Sequence, residues 1–178
     1  MSRGEFLTRG TIWITILAYV IGSLIFAFAA KTAWGDAAVR IAWTFACAIL
    51  FVHLIAAFHF YHGWSHHAAY LDTARQTREV VGLNWGGGLF INYALLVAWT
   101  LDLAWWWRKG LTSYRLRPRP LITAWHGLLI FIIFNATVVF KDGVVRWIGL
   151  AVCIVLVFSW LVIVRRTSTA SQVSLESN

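Results

Sequence analysis

The residues best suited to chemistry in this chain are its histidines. Five of the six, His53, His59, His62, His66 and His67, fall in one stretch. Imidazole binds transition metals and exchanges protons near neutral pH. If the helix that carries His53 continues past Gly63, then His59, His62 and His66 stand at i, i+3 and i+7, within about 60° of one another around the axis. His62 and His66 then have the i, i+4 spacing by which two imidazoles on one helix face chelate a single metal. His67 points roughly 80° away from His59 and would serve a second partner. The expected metal site is therefore His59, His62, His66 and His67, and the ligand type does not separate copper, zinc and iron. Gly63 is the weak point, because a glycine there permits a bend that redirects the stripe. With Tyr61 and Trp64, the same imidazoles also suit a membrane boundary, which accommodates an apolar body and a polar tip without any metal.

The spacing His62-x-x-x-His66-His67 resembles one box of the membrane fatty-acid hydroxylase and desaturase family. The resemblance covers those few residues alone. It implies a metal-dependent membrane oxidase or hydroxylase acting on lipid-like substrates. That family builds its di-iron site from several such boxes, and this chain has no second one, so no catalytic role is carried over.

Two other sets of polar residues lie within apolar segments, where ionisable groups are expensive and usually face a partner or a cavity. Asp102 and His126 each come out roughly 8 Å from the same side of the membrane. They are expected as a buried polar pair or proton relay, since a carboxylate can tune an imidazole. His53, Asn92 and Asn135 share a depth of roughly 20 Å and are expected to form a mid-membrane polar layer. Interhelical hydrogen bonds that fix packing are the plainer reading of both sets. A haem held by two histidines of one chain needs axial ligands from two helices at similar depth, and His126 alone lies away from the histidine stretch. Haem is thus the less favoured cofactor, with its second ligand coming from another subunit or another residue type. Cys47 and Cys153 sit deep in apolar runs as core residues, with no disulfide framework or thiolate site implied.

The elements that must position these groups are membrane spans. Hydrophobic residues make up 60% of the chain and charged residues 12%, far from the balance of a soluble domain. Runs at residues 11–30, 37–61, 85–107, 121–140 and 144–164 are each long enough to cross a hydrocarbon layer of about 30 Å. Ala27-Phe28-Ala29 has the small-residue pattern of a signal-peptidase site, but the apolar run before it exceeds the usual signal core, so an uncleaved helix is expected. Lys31 and Asp36 belong to a short turn, and Arg40 can snorkel at the start of the second span. Residues 62–84 form the histidine-rich extramembrane segment. Its Asp72 and Arg75, at i and i+3, predict a short surface helix, although acidic residues there could instead complete a metal's shell. Residues 1–166 read as a single transmembrane domain and residues 167–178 as a flexible polar tail.

The expected fold is all-α, a polytopic bundle of five transmembrane helices. Arg108, Lys109, Arg115, Arg117 and Arg119 crowd one loop that has no acid. Placing it in the cytoplasm with Lys31, Arg40, Arg165 and Arg166 puts the amino terminus outside and the carboxyl terminus inside. The net charge of +8 thus sets topology, and no nucleic-acid partner is implied. The partners expected are membrane lipids and other membrane subunits or further copies of the chain, in a bacterial cytoplasmic (inner) membrane. The expected role is a small subunit or accessory protein of a redox or metal-handling membrane system. A structural subunit without metal is one alternative, and the oxidase or hydroxylase above is another. Alkaline phosphatase fused within residues 62–83 should be active, and a fluorescent-protein fusion at residues 108–120 should glow. The reverse pattern would overturn this topology.

Overall fold

The computed structural model describes the backbone of residues 2–29 and 32–176, and the side chains of these except residues 111, 112, 115 and 166–176. Lys31, assigned above to the first turn, lies outside the described residues, as do the side chains of Arg115 and Arg166. Among the described residues the structure is all-helical. The helices are α1 (Arg3–Phe28), α2 (Ala33–Tyr61), α3 (His66–Val81), α4 (Gly88–Arg115), α5 (Arg119–Phe134) and α6 (Gly143–Glu176), with a π turn (Asn135–Val139) continuing α5. Five segments are long and apolar enough to cross a membrane: Arg3–Phe28, Ala33–Tyr61, Gly88–Gly110, Arg119–Val139 and Gly143–Arg165. The helix of α6 continues through the stretch read as a polar tail, as far as Glu176.

The chain divides into two compact units. The first holds residues 1–19 and 43–103, which include α3 and parts of α1, α2 and α4. Its core is aromatic. Tyr19 stacks on Trp43, with ring centres 5.8 Å apart, and meets the edge of Trp99 at 5.6 Å. The Trp43 indole N–H donates to the Tyr19 carbonyl at 3.3 Å. Small residues let backbones approach elsewhere in this unit. Gly4 faces the Phe60 ring, and Gly86 lies against the Tyr70 carbonyl so closely that any side chain would collide with it.

The second unit holds residues 20–42 and 104–178. Here α4 breaks at Gly110, whose φ of 74° glycine adopts readily. Downstream of the break Tyr114 stacks on Trp106 with centres 4.2 Å apart. In the α5–α6 hairpin the π turn bonds Phe140 N–H back to the Asn135 carbonyl. Arg146 Nε donates to the Val138 and Lys141 carbonyls at 3.1 and 3.0 Å, which satisfies acceptors at the end of the π turn. Gly149 of α6 presses against Thr137.

Several hydroxyls of the spans bond within their own helix. Thr8, Thr11, Thr100, Thr137 and Ser159 each donate to the carbonyl four residues back, at 2.7–2.8 Å, and the Asn135 amide does the same toward Phe131. Each of these groups is thereby satisfied without a neighbouring helix, whereas the buried Thr15 and Ser23 hydroxyls of α1 have no such bond.

Gly149→Ala should cost about 1–3 kcal/mol by overpacking against Thr137, read as a lower midpoint of unfolding in detergent. Gly10→Ala adds a methyl that meets nothing within 4 Å. It should hold or raise that midpoint.

Candidate functional site

The histidine stretch folds as helix, turn, helix. Tyr61 ends α2, and the chain reverses at Gly63 and Trp64, with φ of 53° and 63°. Trp64 N–H bonds the Phe58 carbonyl at 3.1 Å and Ser65 N–H bonds the His62 carbonyl at 2.9 Å, so the α-helical ladder is closed off there. Ser65 then caps α3, its hydroxyl accepting from Ala68 N–H at 3.1 Å, and Gly82 ends that helix in a left-handed conformation.

The condition for an imidazole stripe on one helix is therefore not met. His59 belongs to the last turn of α2, His62 to the turn, and His66 and His67 open α3. The physical reason is the pair of left-handed residues, which glycine permits and which Trp64 adopts at some conformational cost. The histidines are set among aromatic rings instead. His62 meets Phe58 edge-on at 5.7 Å, and His59 meets Phe60 at 4.7 Å and Trp64 at 6.2 Å. His66 stacks on Tyr93 at 5.8 Å beside Phe90 at 5.6 Å, and its Nδ1 is hydrogen-bonded to the Tyr93 hydroxyl at 3.2 Å. His67 is exposed. Among the described residues no group of three or more His, Cys, Asp or Glu side chains converges as a metal would require.

Tyr93 is the member of this cluster that the sequence reading misses. The available signal was Phe90 and Tyr93 at i and i+3 on α4, at the span end that follows the histidine segment. The predicted surface helix is present as α3, with Arg75 bonded to Asp72 and 3.5 Å from Glu79, while Gln76 donates to Asp72 at 2.9 Å. The Asp72 hydrogen bond, with the negative charges of Asp72 and Glu79, pushes the Arg75 guanidinium above its ordinary value. Asp72 is thus engaged along its own helix.

The other expected sets are distributed as follows. His53 Nδ1 lies 3.0 Å from the Thr8 carbonyl and 3.3 Å from the Thr11 hydroxyl, so it ties α2 to α1. Asn92 is exposed, and Asn135 bonds its own helix at the start of the π turn. Asp102 is half-buried in the first unit, and His126 is buried in the second. His126 lies within electrostatic range of Arg117. Arg117, one charge of the basic loop, is buried with its guanidinium 3.4 Å from the Tyr114 ring centre and 5.2 Å from that of Trp105. Arg40 does not simply snorkel: its guanidinium sits 4.0 Å over Trp107. Each is a cation–π arrangement that disposes of a cation beside an apolar segment. A run of Trp105-Trp106-Trp107 next to a basic loop was the sequence signal for both.

No known protein family, curated protein or solved structure matches the chain.

His53→Ala should lower the unfolding midpoint by the equivalent of about 0.6–1.7 kcal/mol, the range of interhelical hydrogen bonds in membranes. Asn92→Ala should leave it unchanged. An equal loss from both would restore the idea of a shared polar layer.

Proposed function

We propose that the chain is a small integral membrane subunit or accessory protein of a redox or metal-handling system, holding a transition metal at the outer interface through His66 with His62. The observation that supports this is the His66–Tyr93 hydrogen bond. A metal-binding imidazole commonly donates its second ring N–H to a neighbour, which fixes the ring and its tautomer. In the tautomer that carries its proton on Nδ1, His66 donates to the Tyr93 hydroxyl and leaves the Nε2 lone pair for copper, zinc or iron. His59 and His67 are the reserve ligands. Because no three such side chains converge among the described residues, water or a neighbouring subunit supplies the remaining positions.

The orientation follows from charge placement, with the amino terminus outside, the basic loop inside and the bacterial inner membrane as host. A structural subunit without metal is the second reading. It is favoured by the ring contacts of His62 with Phe58 and of His59 with Phe60 and Trp64, which give both imidazoles a packing role.

Purified protein should carry a stoichiometric metal that His66→Ala removes. Tyr93→Phe should weaken its binding by about 10–100-fold, the usual effect of losing such a supporting partner. Metal-free, colourless protein that cannot be loaded would overturn the metal reading in favour of the structural one, and a Soret band would replace the metal ion by haem.

A further inference from the structure

Within the second unit, α5 and α6 leave a groove between them that has nothing to do with the histidine cluster. Its volume is about 680 Å³, inside the ~300–1,000 Å³ range of ligand sites. Ile130, Phe131 and Phe134 form one wall, and Ile154, Val157 and Phe158 form the other. No charged side chain lines it, and the Cys153 thiol is its one weakly polar group, so it suits hydrocarbon far better than a polar ligand. Along α6 it runs from Leu150 to Leu161, a rise of about 16 Å. That matches the depth of one leaflet, about half of a 30 Å hydrocarbon layer.

Gly127 on α5 and Cys153 on α6 complete the lining between the bulky Phe, Ile and Val side chains and leave room for a flexible acyl chain to thread along the groove. One turn beyond Leu161, the same end of the hairpin carries Arg165 on α6, and Arg119 opens α5. Positive charge stands where the phosphate of a lipid would fall if its chain lay in the groove.

We infer that the α5–α6 groove is a binding site for one phospholipid acyl chain, with the headgroup phosphate at the Arg119 and Arg165 end. The full chain would be placed in phosphatidylethanolamine/phosphatidylglycerol liposomes doped with phosphatidylglycerol bearing a diazirine on its acyl chain. After illumination, adducts would be mapped by peptide mass spectrometry. Phe131, Ile154 and Phe158 should be labelled about five-fold more than Phe51, Val52 and Ile55, which are similarly exposed on α2. That ratio corresponds to roughly 1 kcal/mol of preference. Cys153→Phe fills the groove and should bring the two sets level. Gly127→Leu, from the opposite wall, should do the same and serves if the first variant fails to fold. Equal labelling of both sets in the unaltered chain would mean annular lipid only and would overturn the proposal. Groove residues left unlabelled while Phe51, Val52 and Ile55 are labelled would mean that something other than lipid fills the groove, and would overturn the proposal equally.

Discussion

In hydrocarbon there is no water to take up a stray N–H or C=O, so a spanning segment must meet its backbone hydrogen bonds internally. Helix is the one local structure that does so, and the main features of this protein follow from that requirement. The five long apolar helices are its direct expression. Its exceptions are where irregular structure collects. The ladder stops at Gly63 and Trp64, at Gly110 and at the π turn. At the first and last of these, turn hydrogen bonds or the Arg146 side chain take up the carbonyls the helix releases.

Cations beside the spans obey the same economy in another form. Arg117 is buried against Tyr114 and Trp105, and Arg40 lies over Trp107. An aromatic face attracts a cation without demanding its full hydration. Aromatic rings thus do at one end of the chain's helices what they do around the histidines at another: they give polar groups an apolar neighbour they can tolerate. The imidazoles of His59, His62 and His66 each touch such a ring.

The helical class, the apolar segments and the Asp72–Arg75 helix were legible in the sequence because they rest on composition and short-range spacing. The path of the chain at Gly63 was not. A glycine marks where a reversal is permitted, but whether it is taken depends on Trp64 accepting a left-handed conformation beside Phe58 and His59. His53 was legible as a polar residue inside an apolar segment, but its partners on α1 were not. Depth arithmetic ranks residues along the membrane normal and carries no information about which helix lies alongside, whereas its bonds to Thr8 and Thr11 are set by lateral packing. Arg117 was hidden for a similar reason: its burial depends on the break at Gly110 bringing Tyr114 back over Trp106.

The hydroxyls that bond four residues back along their own helices bear on how the protein is made. Thr100, Thr137 and Ser159 need nothing from a neighbour to be satisfied. Helices of this kind can leave the insertion machinery and rest in lipid singly, before they meet one another. His53 is different, because its partners lie on α1. Its imidazole makes these bonds only when α1 and α2 lie side by side, so this polar group of the second span is satisfied by helix pairing and not by its own helix.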